Sequence, residues 1–468
     1  MATLKFLLPL LLIQSYFTAP EEDKVTSLPD YSYDGILYSG YLNVSATKKY
    51  HYVFSFSKED PDKKPLVVWF NGGPGCSSLD GWANEHGPMF LDKNGSFVLN
   101  EYSWVKEANI IYIESPGDVG FSYINSTAEE DLRTDDNTTA RDNLNALIDF
   151  FEKFPELREK DFYITGESYA GIYVPILAYR VLEYNEKAEE GKKINLKGIA
   201  VGNGVSDWKY DHENATMDFL FTHHLISYEH RLDYVKYCLN NKTLNETKCK
   251  ENRKEAREII DGINIYDYIS DCAIPKNSKG EISTKSKYYK YASWHFKDSK
   301  TTDEEIILNL KEKNDGRKAT PCVDDTNIEN YFSRPDVQTA LHVKNLPKWY
   351  VCSDPVYNRY QFGFNTGSVW TYPTLIKNKL KILIYSGDTD ALVPFNGNQL
   401  WIRDLKLNII KPWRQWRVDN DTANVAGYVV KYDGLTFCTV KGTGHMAPYG
   451  KRKECHYMFK KYLNGEDL

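Results

Sequence analysis

Phe162-Tyr-Ile-Thr-Gly-Glu-Ser-Tyr-Ala-Gly171 is the stretch on which the fold turns. It passes from β-branched and aromatic residues through a glycine to a serine, and then into small residues that open a helix. A serine held on a sharp strand-to-helix turn needs small neighbours two positions away on either side, because strand and helix must approach closely there. Gly166 and Ala170 meet that need, so Ser168 reads as a nucleophile on an elbow of the G-x-S-x-G kind with Ala in the last place.

Further short apolar runs end in glycine-containing turns: Leu66–Phe70, Ile110–Ile113, Gly198–Val201, Ile382–Tyr385 and Leu435–Val440. Helical stretches, among them Asn137–Phe154 and Ala170–Asn185, lie between several of them. Buried runs alternating with helices predict a mostly parallel α/β sheet covered on both faces, with the chemistry at the strands' C-terminal ends. Tyr38–Val44 and Tyr50–Phe56 predict an antiparallel hairpin beside that sheet.

Two later strand ends supply partners for Ser168 in the order Ser, acid, His. Ile382-Leu-Ile-Tyr-Ser-Gly-Asp388 places a carboxylate just past a strand, and Leu435–His445 does the same for an imidazole, with Gly442 and Gly444 easing the turn. Asp390 is a rival acid; Asp388 is preferred because it stands closer to the strand end. A neutral hydroxyl is a weak nucleophile, so His445 must take its proton while the acid fixes the useful tautomer, and an acyl-enzyme follows. The oxyanion then needs backbone donors, one from Tyr169 and one from the glycine-rich Asn71-Gly-Gly-Pro-Gly-Cys76 loop. That loop lacks the G-x-G-x-x-G spacing of a dinucleotide site.

Composition agrees with a folded enzyme. The 468 residues are 41% hydrophobic and 26% charged, and the net charge of -7 offers no basic excess for nucleic acid or an anionic membrane surface. Lys5, the apolar run Phe6–Ile13 and small residues to Ala19 read as an export signal, too short to span a bilayer. No later apolar run is long enough for a membrane span. Sequons at Asn43, Asn94, Asn125, Asn137, Asn214, Asn241, Asn245 and Asn420 fit the secretory route. The cysteines at 76, 238, 249, 272, 322, 352, 438 and 455 fit an oxidising compartment; none lies in a CxxC or a zinc-like Cys/His cluster, so neither metal nor cofactor is expected.

From about Ser206 to Arg334 the chain turns rich in Lys, Glu, Asp, Asn and Tyr and loses strand alternation, which reads as an inserted cap stapled by cysteines. The expected organisation is a signal over 1–19, a first core part over 20–205, the cap over 206–334 and a second core part over 335–468. The lysine-rich stretch Lys276–Lys313 is where a maturation cut would fall.

Asn71-Gly-Gly-Pro-Gly-Cys-Ser-Ser78, Glu114-Ser-Pro-Gly-Asp-Val-Gly-Phe-Ser-Tyr123, Gly166-Glu-Ser-Tyr-Ala-Gly171, Ser386-Gly-Asp388 and Gly444-His-Met-Ala-Pro448 occur in order from near Tyr38 to the C-terminus. Together they resemble the serine carboxypeptidase family. The resemblance implies the α/β-hydrolase fold and release of C-terminal residues from peptides and proteins, favoured at acidic pH, in a lysosome, a vacuole or outside the cell. It places Ser168, Asp388 and His445 on the triad and the amides of Gly73 and Tyr169 on the oxyanion hole. Asn71, Gly72, Glu85 and Glu167 fall on the group that holds the substrate's terminal carboxylate, and Asp80, Asn84 and Met446 on the leaving-residue pocket. It also implies the disulfides Cys76–Cys352, Cys238–Cys249 and Cys272–Cys322; the left-over Cys438 and Cys455 suggest a fourth bracing the histidine loop. A homodimer is left open. Two carboxyls as close as Glu85 and Glu167 cannot both ionise readily, so one keeps a proton and can donate to a carboxylate.

One departure is Gly117-Asp118, where the family carries a small residue and then Gly; it brings a charge near the site. Alternative readings are an acyltransferase of the same fold, against which Glu167 speaks because those relatives tend to carry Asp before the nucleophile, and a non-catalytic protective partner.

Overall fold

The computed structural model describes residues 19–211, 213–272, 322–345, 347–363, 367–419 and 421–468, with side chains from Ala215 onward in the helix Glu213–Thr222. Residues 1–18 of the expected signal, the Asn214 side chain, Asn420 and the stretch Lys276–Lys313 lie outside the described residues.

The apolar runs become strands of a 12-stranded sheet. In chain order these are β1 (Lys24–Val25), β2 (Leu37–Asn43), β3 (Lys48–Ser55), β4 (Leu66–Phe70), β5 (Asn109–Ile113), β6 (Tyr123–Ile124), β7 (Phe162–Glu167), β8 (Leu196–Gly202), β9 (Lys381–Gly387), β10 (Ile409–Trp416), β11 (Gly427–Tyr432) and β12 (Leu435–Val440). Their order across the sheet is β1-β2-β3-β5-β4-β7-β8-β9-β12-β11-β10, with β6 on β3. The central stretch from β5 through β4, β7, β8 and β9 to β12 is parallel throughout. These are the strands that the sequence marks by unbroken apolar runs, as expected of strands buried on both faces. The hairpin β2–β3 pairs antiparallel and joins β5. On the far side β11 and β10 continue antiparallel. The outermost β10 mixes exposed Ile409, Ile410 and Trp413 with Lys411, Pro412 and Arg414, charges and a proline that discourage pairing by another strand.

Helix α1 (Asp136–Lys153) starts at a capping box: Asp135 accepts from the Thr138 amide at 2.7 Å and the Thr138 hydroxyl accepts from the Asp135 amide at 2.8 Å. Helix α2 (Ala170–Lys187) leaves the serine turn and lies on β7 and β8. It contains Pro175, which has no N–H for the Gly171 carbonyl one turn earlier; the buried Ser368 hydroxyl donates to that carbonyl instead, at 2.6 Å. One continuous apolar cluster joins the sheet to α1, α2 and the C-terminal helix Arg452–Asn464.

Between β8 and β9 the chain forms α3 (Glu213–Thr222), α4 (Tyr228–Tyr234) and α5 (Glu246–Ile259). They close over a small core of their own, built from Met217, Leu220, Ile226, Tyr234, Ala256 and Ile260, and Cys238–Cys249 cross-links it. Cys272–Cys322 and Cys76–Cys352 are also bonded. The fourth bridge is not formed: Cys438 and Cys455 are buried thiols, and Met458, one helical turn beyond Cys455, presents its sulfur 3.4 Å from Cys438. Asn43, Asn94, Asn125, Asn137, Asn241 and Asn245 are all exposed.

Candidate active site

Ser168 sits between the end of β7 and the start of α2 with φ of 63°, the left-handed conformation of a tight elbow. Its amide donates to Gly202 O at 3.0 Å, and its carbonyl accepts from the Gly171 and Val205 amides, so the turn is fixed from both neighbouring elements. The glycine loop after β4 comes up against this turn. A Cβ on Gly72 would lie 2.3 Å from the Tyr169 amide nitrogen, so only glycine lets the loop lie beside that donor. Gly73, next along, lines the same cleft as Ser168 and His445.

The loop is anchored from behind. Cys76 is bonded to Cys352, and the buried Glu114 of the Glu114–Tyr123 motif accepts from Ser77 Oγ, Trp349 Nε1, the Phe121 amide and His51 Nδ1. Asp118 points elsewhere. It adopts φ of 68°, accepts from the Ile124 amide and pairs with Arg359 at 2.8 Å, so the extra charge is matched beside the loop and is not among the residues lining the cleft.

The expected acid needs correcting. His445 Nδ1 lies 2.7 Å from Asp390 Oδ2, not against Asp388. Strand β9 runs to Gly387, so Asp388 is still at its exit: its amide donates to Val440 O, and its carboxyl accepts from the Gly442 amide at 2.6 Å. The chain must advance two more residues before a carboxyl reaches over to the imidazole. Asp390 is fully buried and held by the Leu392 and Val393 amides on one oxygen and by Asn203 Nδ2 on the other. Asn203, at the end of β8, also accepts from the Gly387 amide, and no sequence signal had singled it out. Burial raises the Asp388 carboxyl above the usual range.

Nε2 of His445 is buried and has no hydrogen-bond partner, leaving it available in the cleft that Ser168 lines. The Tyr266 ring stands edge-on to the imidazole at 5.2 Å and lines the cleft as well.

In the same cleft as Ser168, Asn71 Nδ2 donates to Glu167 at 2.9 Å and to Glu85 at 3.4 Å, while Asn71 Oδ1 accepts from Trp69 Nε1 at 2.7 Å, which fixes the amide's orientation. Asn71 thus bridges the two carboxyls, and Oε2 of each is buried without a hydrogen-bond partner. Burial, reinforced by the charge of Asp80, pushes Glu85 up to about 8. Burial and the neighbouring Glu85 hold Glu167 well above the usual carboxylate range. Such a pair keeps a proton in neutral and acidic water. Asp80 and Met446 line the cleft; Asn84 does not, but its amide holds Asp80 at 2.7 Å. Among the described residues no cluster of His, Cys, Asp and Glu suits a metal, and no helix is long and apolar enough to cross a membrane.

Comparison with known proteins gives this arrangement a context. The family profile described as serine carboxypeptidase matches residues 29–465. The chain belongs to the serine carboxypeptidase family. It is thereby a serine-type hydrolase of peptide C-termini. Serine carboxypeptidase-like 33 of Arabidopsis thaliana is 35% identical over 480 residues, covering 100% of this chain and 96% of that one. The lysosomal protective protein of Mus musculus is 34% identical over 463 residues, covering 96% and 95%. Among solved structures, a prohormone-processing carboxypeptidase from Saccharomyces cerevisiae superposes with a TM-score of 0.72 over 96% of each chain at 21% identity, and shows the same fold. The serine carboxypeptidase described here is thus an α/β-hydrolase whose mostly parallel sheet carries the cleft at its strands' C-terminal ends.

Proposed function

We propose that the enzyme cleaves the last peptide bond of its substrates through an acyl-enzyme on Ser168, with His445 as base and then acid, and Asp390 as the residue that orients it. The observation that carries this reading is the meeting, in one cleft, of Ser168, the imidazole that Asp390 holds, and Glu167, which Asn71 links to the buried Glu85. His445 Nε2 takes the hydroxyl proton as Ser168 Oγ attacks the scissile carbonyl, and Asp390 stabilises the imidazolium that forms. The amides of Gly73 and Tyr169 receive the oxyanion. The proton passes to the leaving amine, and water releases the acyl group by the reverse sequence.

Asn71, the Gly72 backbone and the Glu85–Glu167 pair bind the terminal carboxylate; the protonated carboxyl donates to it, which confines cleavage to the chain's end. Asp80 and Met446 border the leaving side chain. The exposed sequons and the disulfides support passage through the secretory route to a lysosome, a vacuole or the cell exterior, and the likeness to the mouse lysosomal protective protein supports the lysosome.

The test is to incubate the protein and its Ser168→Ala variant with an N-blocked dipeptide at about pH 5, a pH at which the carboxyl pair keeps its proton. Release of the C-terminal residue by the native protein and not by the variant is expected. Equal release by both would defeat the reading, and transfer to an added alcohol in preference to water would favour an acyltransferase.

A further inference from the structure

The residues that catalyse the reaction stand on core loops, yet what holds two of those loops in place belongs to the insertion. The loop Asp388–Ala391 and the loop Gly442–His445 are tied to each other by Thr389 N to Thr443 O at 3.0 Å, by Gly442 N to Asp388, and by the Asp390–His445 contact itself. Over them runs Asn264–Tyr268. Ala391 N donates to Ile265 O at 3.0 Å, His445 N to Tyr266 O at 2.6 Å, and Tyr268 N donates to Thr389 O at 3.1 Å. The Thr389 hydroxyl donates to the Asp267 carboxyl. The strap is stiffened internally, since Asn264 accepts from the Tyr266 amide with its side chain and from the Asp267 amide with its carbonyl. Its approach is so close that a Cβ on Gly444 would stand 1.9 Å from Tyr266 O and 2.7 Å from Asp267 Cα.

We propose that Asn264–Tyr268 is a positioning element of the active site, which sets the separation of the Asp390 and His445 loops and thereby the aim of the imidazole at Ser168. The proposal rests on the serine carboxypeptidase reading above. The backbone amide of His445 is one bond from the Cα that carries the ring, and that amide is bonded to the strap. Asp390 is likewise bracketed: the residue before it donates to and accepts from the strap, and the residue after it donates to it. An ångström of drift in either loop would weaken proton transfer from the serine without pulling on Asn71, Gly72, Glu85 or Glu167, whose hydrogen bonds among the described residues go neither to the strap nor to the two loops.

Thr389 is the place to test this, because its hydroxyl serves the strap while its side chain is not among those lining the cleft. In Thr389→Val, kcat for the blocked dipeptide is expected to fall about tenfold while KM stays within about twofold. The rate of Ser168 labelling by a fluorophosphonate should fall in step. Thr389→Ser, which keeps the donor, is expected to restore native kcat. Gly444→Ala, which forces the Tyr266 carbonyl away, should lower kcat about a hundredfold with the same indifference of KM. Native kcat in both Thr389→Val and Gly444→Ala overturns the proposal. So does a loss that Thr389→Ser shares, or one confined to KM. If the native protein itself neither labels at Ser168 nor releases a C-terminal residue, the failure belongs to the carboxypeptidase reading and not to the strap.

Discussion

At the scale of single residues, the contrast between Asp388 and Asp390 is the sharpest. Asp390 has donors on both oxygens, and the one from His445 is Nδ1, so replacing it by Asn turns an amide N–H toward a nitrogen that must itself carry a proton. The imidazole would be driven to the wrong tautomer, and kcat for Asp390→Asn should drop by about four orders of magnitude in steady-state assays. Asp388→Asn keeps an oxygen for the Gly442 amide, so its loss should stay within about tenfold. Equal losses would return Asp388 to the triad. The carboxyl pair makes a second forecast. Glu85, raised to about 8 by burial, is protonated below that pH and ionises as pH climbs through it, adding negative charge beside the proposed site of the substrate's carboxylate. KM for a free dipeptide should therefore rise with pH around 8, while KM for the same dipeptide amide should not. A flat KM for the free acid would show that this proton plays no part in binding.

Elements explain both what the sequence disclosed and what it withheld. The parallel strands were legible because burial on both faces leaves unbroken apolar runs, and Ser168 was legible because an elbow demands small neighbours such as Gly166 and Ala170. The edge strand Ile409–Trp416 and its neighbour Gly427–Tyr432 were not: the first is largely exposed and carries Lys, Arg and Gln like any loop, and the second is short and broken by Lys431. The choice between Asp388 and Asp390 depended on where β9 ends and which way the following turn points, neither of which composition encodes. Asn203 and Tyr266 act through contacts with residues far away in the chain, and such partners leave no local pattern. Helix α2 offers an energetic check. Ser368→Ala would leave the Gly171 carbonyl buried without its donor, costing about 1–3 kcal/mol in denaturant unfolding. A cost near zero would mean that the proline's missing bond needs no substitute.

Across the whole molecule, stability and site share the same ties. Cys76–Cys352 spans 276 residues and fixes the glycine loop to the segment that carries Trp349. Paired Cys76→Ser and Cys352→Ser substitutions should cost about 4 kcal/mol of unfolding free energy, because a long loop is released in the unfolded chain, and kcat should fall with it as the glycine loop beside Ser168 loses its anchor. An unchanged unfolding midpoint would contradict this. Since the amide of His445 and the flanks of Asp390 are bonded to backbone outside the sheet, the segment that carries Asn264–Tyr268 is not an exchangeable hat. Chimeras that trade it for a relative's to alter selectivity would have to graft outside Asn264–Tyr268, keeping that pentapeptide and a glycine at 444 as native seams, or they would change turnover while meaning only to change taste.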